Sequence, residues 1–90
     1  MNKQIKALDY DLVPRLLCDS KTRKPLEKDQ LIANFRGEQF RVVGGCPPRK
    51  PGSVGYIDVA FIDDEQGQTP WSYYVTVFNA VWLGEQEVIL

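Results

Sequence analysis

The stretch VGYIDVAFID, residues 54–63, decides the fold class. Ile57, Val59 and Phe61 alternate with Asp58, Ala60 and Ile62. That period of two sends successive side chains to opposite faces of a strand. The pattern repeats downstream in WSYYVTVF, residues 71–78, where Trp71, Tyr73, Val75 and Val77 alternate with Ser72, Tyr74, Thr76 and Phe78. Aromatic and β-branched residues dominate there, as pleated strands favour. Between the two runs, DEQGQTP at 64–70 has the composition of a turn around Gly67.

Upstream, EQFRVVG sets Phe40 and Val42 on one face and Arg41 and Val43 on the other. It follows a turn at Arg36-Gly37-Glu38, in which Gly37 supplies a positive φ, and a strand over residues 29–35. Residues 9–18, DYDLVPRLLC, read as an extended segment that Pro14 keeps at a sheet edge. Residues 19–25 read as a turn, and residues 1–8 as a polar arm. NAVWLGEQEVIL closes the chain with a bend or short 3₁₀ turn near Asn79 and a last strand. No segment carries a helical stripe. Short strands separated by frequent turns predict an all-β domain over residues 9–90, a small SH3-like barrel of about five to six antiparallel strands. Closing the sheet removes exposed edges.

A chain of 90 residues makes one small domain, and 43% hydrophobic with 26% charged residues marks it as globular. No apolar run reaches the roughly 18 residues of a membrane span. The N-terminus lacks the apolar stretch of a signal peptide, so the expected location is the cytoplasm, with no membrane partner. Cys18 and Cys46 match no metal or redox spacing and are expected to be free thiols. The chain has no histidine, which removes the usual general base and the commonest metal ligand. The expectation is a protein that is not an enzyme and holds no cofactor or metal.

The net charge of −1 hides a sorting. All 11 Lys and Arg and six acids fall in residues 1–53, a net +5, whereas residues 54–90 carry the other six acids and no base, a net −6. One reading is a basic patch for nucleic acid. The other is that strands of both halves interleave and neutralise one another, or that the charges pair across a homo-oligomer. A pI near 5.3 argues against strong non-specific phosphate binding.

The stretch GGCPPRKPGSVGY, residues 44–56, carries the densest functional signal. It lacks the phosphate-loop pattern and leads into a strand, so no helix N-terminus is offered to an anion. Gly44 and Gly45 end one strand, the prolines stiffen the crossing, and Gly52 to Gly55 begin the next. Arg49 and Lys50 remain as candidate contact residues, with Arg36 and Arg41 as further cations. Tyr56, Trp71, Tyr73 and Tyr74 are the candidate aromatic contacts, since a barrel this small cannot bury every ring. Asp63, Asp64 and Glu65 read as a solvated turn and not as a metal site.

Three segments, DQLIANFRGEQFRVVGG, PRKPGSVGY and YYVTVFNAVW, also resemble a pattern found in small uncharacterised proteins of phages and other mobile elements, integron cassettes among them. The likeness spans residues 17–83 and includes Arg36, Gly37, Glu38, Gly52, Ser53, Gly55, Tyr74, Phe78 and Trp82. The pattern often has proline after the Tyr pair, where this chain has Val75, so the strand is expected to run on. The resemblance carries over no catalytic residue. Together these readings predict an interaction module that binds a protein partner or a second copy of itself as a dimer. The alternative is a nucleic-acid-binding barrel using the basic half and exposed aromatics.

Overall fold

The computed structural model describes residues 3–63 and 70–89. These form seven strands, two 3₁₀ turns and no α-helix. β1 (Lys6–Leu8), β2 (Pro14–Asp19) and β7 (Ala80–Gly84) make one antiparallel sheet in the order β1-β2-β7. β3 (Leu31–Ala33), β4 (Gln39–Cys46), β5 (Tyr56–Phe61) and β6 (Trp71–Tyr74) make a second in sequential order. The protein is therefore all-β, with two antiparallel sheets, and both halves of the chain contribute to each.

One buried cluster joins the sheets. Leu17 of β2 and Ala80 and Trp82 of β7 meet Phe40, Val42, Ile57 and Val59 of the second sheet, with Val75 and Phe78 filling in. Each fully buried aliphatic among them contributes about 1.5–3 kcal/mol. The opposite face of β2 and β7 buries a smaller group, Leu16, Cys18 and Leu83, against Val81 and Val88. The period of two along residues 16–18 thus serves two cores.

Several expectations shift. WSYYVTVF is not one strand: β6 stops at Tyr74 and a 3₁₀ turn takes Val75–Phe78, so the strand does not run on through Val75. That turn ends on Asn79 in the left-handed region (φ 53°), a conformation asparagine tolerates, which agrees with a 3₁₀ turn near that residue. Its burial of Val75 and Phe78 explains why two apolar residues three apart mislead an alternating reading. The strand expected over residues 29–35 is confined to Leu31–Ala33. Pro14 does not mark an edge, because β2 is the central strand of its sheet. Pro14 is tolerated as the first residue of that strand, opposite Leu8. The segment read as an arm supplies β1, and Ile5 packs on the core. Gly37 takes φ 82° in the turn after β3, as its sequence context required. The turn expected at 64–70 lies outside the described residues, save Pro70.

Candidate functional site

A groove of about 500 Å³ opens between the Pro-rich loop, the β1–β2 loop and the first 3₁₀ turn. Tyr10 and Pro48 line it from the loops, Val54 closes the Pro-rich segment, and Thr76 and Asn79 come from the 3₁₀ turn and its cap. Trp82 of β7 forms part of its lining and is itself buried. Tyr10 (47% exposed) and Val54 (43%) present apolar surface.

Asp9 holds the wall that carries Tyr10. Its Oδ1 accepts from the backbone N–H of Asp11 (2.8 Å) and of Val13 (3.0 Å). Its Oδ2 accepts from Arg15 Nε at 2.6 Å, and the carboxylate is almost wholly enclosed. The loop so fixed tolerates Leu12 at φ 60°. Tyr10 N–H then donates to the carbonyl of Pro48 at 3.0 Å, which ties the Pro-rich loop to the β1–β2 loop. The Arg15 hydrogen bond holds the Asp9 carboxyl below the ordinary aspartate value of 3.8, with the two backbone donors adding to it against the cost of burial. A carboxylate whose folded value is depressed stabilises the fold above its unfolded value, and that contribution fades as pH falls through the folded value. We expect the urea midpoint of the protein to drop between pH 6 and pH 3 (roughly one unit below aspartate's unfolded value), and to drop less in Asp9→Asn. Equal drops in both proteins would show that Asp9 is not the group responsible.

Two glycines of the Pro-rich stretch are fixed by Trp82. A Cβ on Gly45 would lie 2.7 Å from the Tyr56 carbonyl oxygen and 2.9 Å from indole Cζ2. A Cβ on Gly55 (φ 83°) would lie 2.8 Å from both the Cys46 carbonyl oxygen and indole Cδ1. Trp82 Nε1 donates to the Tyr56 carbonyl at 3.1 Å, so the indole binds the β7 sheet to the first residue of β5. The glycines therefore make room for the groove's own lining.

The eight candidate contact residues do not form one surface. Lys50 lines the groove, and among the described residues no carboxylate pairs with its ammonium. Arg49 turns to the neighbouring hollow of about 340 Å³, with Cys46, Tyr56, Asp58 and Ser72. There Arg49 Nε donates to Cys46 Sγ at 3.2 Å. Tyr56 stacks on Tyr74 with centroids 4.9 Å apart. Arg36 and Trp71 lie at the other end of the second sheet, where β3 ends, β4 begins and β6 begins. The Arg36 guanidinium sits 5.5 Å from the centre of the exposed Phe35 ring. Trp71 (51% exposed) meets the edge of Phe61.

Two of the eight are engaged within the molecule. The Arg41 side chain is only 14% exposed, and Nη1 donates to Asp29 at 2.8 Å, so Arg41 is committed to an internal ion pair. Tyr73 is half-buried and packs on Phe40 and Phe78, which makes it a core ring. Both face inward or sideways for reasons set by register, which alternation alone does not fix. Cys18 and Cys46 are free thiols, the first buried and its pKa pushed up to about 11 by desolvation and by Asp19. Asp63 is exposed, and Asp64 and Glu65 lie outside the described residues.

Tyr10, Val54, Thr76 and Trp82 are groove residues that no local sequence pattern marks as site residues. The signal for Trp82 is the pair Gly45 and Gly55, whose requirement for space becomes visible only once β7 is placed beside them. Among the described residues no group of three or more His, Cys, Asp or Glu is arranged to hold a metal ion. No helix among them is long and apolar enough to cross a membrane. Comparison with protein-family models, curated proteins and solved structures finds no match for the chain.

Proposed function

We propose that the protein is a non-enzymatic interaction module, of the kind mobile elements carry, that binds an extended segment of a protein partner in the groove. One observation carries this reading. The groove combines exposed Tyr10 and Val54 and half-buried Pro48 with Lys50 as its charged lining group not paired to a carboxylate among the described residues, Arg15 being paired with Asp9. An extended apolar segment bearing a carboxylate is the chemistry that fits such a trough. The walls are fixed in advance by Asp9 and by the Tyr10–Pro48 hydrogen bond, which lowers the entropy lost on binding. We read the two sheets as an SH3-like barrel: β2 pairs with the last strand, β7, a 3₁₀ turn precedes β7, and one core spans both sheets.

The test is selection from a displayed random-peptide library followed by binding to purified protein. Selected peptides are expected to be acidic and apolar, and Tyr10→Ala is expected to weaken them at least about tenfold, as loss of a buried aromatic anchor does. Failure to enrich any sequence, or binding indifferent to Tyr10→Ala, contradicts the reading.

A second reading rests on Arg49 beside the stacked Tyr56 and Tyr74, a surface on which an unpaired base can lie. It requires nucleic-acid binding that weakens steeply with salt. The separation of Arg36 and Arg41 from Arg49, and Asp58 within the same hollow, count against it.

A further inference from the structure

We infer that the partner segment enters the groove as an added β-strand, hydrogen-bonded to the free edge of β7. This rests on the reading of the groove as a peptide site and adds how the groove grips: through the partner's main chain, with an acidic side chain directed at Lys50. β7 is the outer strand of the sheet β1-β2-β7 and is bonded to β2 alone among the described strands. The chain on both sides of it, from Val75 to Ile89, is described.

The phase of the ladder identifies the outward groups. In an antiparallel pair, directly opposed residues alternate between those that exchange both main-chain bonds and those that exchange none. Ser20 N–H donates to the Asn79 carbonyl at 2.9 Å, one step beyond the opposed residues Asp19 and Ala80. The bonded pairs are therefore Cys18 with Val81 and Leu16 with Leu83, whereas Asp19 with Ala80 and Leu17 with Trp82 exchange no bond. The far side of β2 agrees. Leu17 and Asp19 donate away from β7, to the carbonyls of Ile5 and Lys24, each at 3.0 Å. The N–H and C=O of Ala80 and Trp82 accordingly point away from β2, and they meet no main-chain partner among the described residues.

The groove runs along this edge. Ala80, Val81 and Trp82 line it in succession. Successive strand side chains point to opposite faces, so a cavity that touches three in a row meets the strand from its edge. Ala80 and Trp82 are only 4% and 3% exposed. Main-chain groups so enclosed are nearly always paired, and an extended segment laid in the groove supplies the partners. The outward sets recur every second residue, about 7 Å apart, which is the repeat of another strand. An extended main chain matches that repeat, so strand addition gives the affinity and side chains the specificity. Charge selects among such segments. The Lys50 ammonium has no carboxylate partner among the described residues, and a partner carboxylate supplies it.

The test uses the whole protein and a peptide selected on it, methylated at one backbone nitrogen at a time. Methylation at alternate residues is expected to weaken binding at least about tenfold, and at the residues between them by less than about twofold. The amides of Ala80 and Trp82 are expected to exchange at least about tenfold more slowly in the complex than in the free protein, with Val81 and Leu83 unchanged. A peptide that needs Tyr10 for binding, yet shows no alternation on methylation and no slowing at Ala80 and Trp82, overturns strand addition and leaves the groove standing. A free protein in which Ala80 and Trp82 are already as protected as Val81 and Leu83 overturns it as well. Enrichment of no peptide at all overturns both readings.

Discussion

Gly55→Ala is expected to lower stability by about 3–4 kcal/mol, the largest loss from an added methyl group at any of the described glycines. Two costs act together. The φ of 83° strains any residue with a Cβ, and the added carbon meets the Cys46 carbonyl oxygen and the Trp82 ring at 2.8 Å. The backbone oxygen cannot move without breaking the β4–β5 pairing at Cys46 and Tyr56. Gly52 separates the two costs. It shares the φ of 83°, but a Cβ there would meet nothing within 4 Å, so Gly52→Ala should cost only about 1 kcal/mol. For a chain of this size each kcal/mol lowers the melting temperature by about 4–8 °C. Thermal unfolding of the two variants side by side should show Gly55→Ala shifted at least about twice as far. Equal shifts would mean that Trp82 does not press on Gly55.

Trp82→Ala is expected to cost about 3–5 kcal/mol, measured as a lower urea midpoint. The indole is buried between the sheets, touches the space kept open at Gly45 and Gly55, and donates to the Tyr56 carbonyl. Removing it leaves a cavity and an acceptor without its donor. Trp82→Phe retains most of the apolar contact and isolates the hydrogen bond, with an expected loss of about 1–2 kcal/mol. A loss in Trp82→Ala no larger than in Trp82→Phe would show that the indole body is not what joins β7 to β5.

These two variants also show where the sequence is informative. The all-β class is legible, because the residues of β4 and β5 alternate with a period of two and glycine marks the turn between β3 and β4. The break after Tyr74 is not. Val75 and Phe78 are both buried, and three apart they share a face of a 3₁₀ turn where a strand would send them to opposite faces, a difference the aromatic, β-branched composition of the run conceals. The central place of β2 is hidden for a different reason. Pro14 is an edge signal when it lies within a strand, but here it begins one, and only pairing with β7 reveals which.

The candidate site is legible in part. The stretch around Arg49 and Lys50 does form one wall of the groove, and Lys50 lines it. Tyr10 is unremarkable in sequence, since its role depends on Asp9 folding the β1–β2 loop and on a hydrogen bond to the distant Pro48. Gly45 and Gly55 of that stretch accommodate an indole. Long-range packing of this kind leaves no local pattern to read.

The central claim is that the groove between Tyr10, Val54 and Thr76 receives a segment of a partner. Amide chemical-shift mapping of isotope-labelled protein, titrated with a peptide selected on it, tests this most directly. The expected result is perturbation concentrated at Tyr10, Lys50, Val54 and Thr76, and lost in Tyr10→Ala. Perturbations centred on Phe61 and Trp71, or on the Tyr56 and Tyr74 pair, would contradict it.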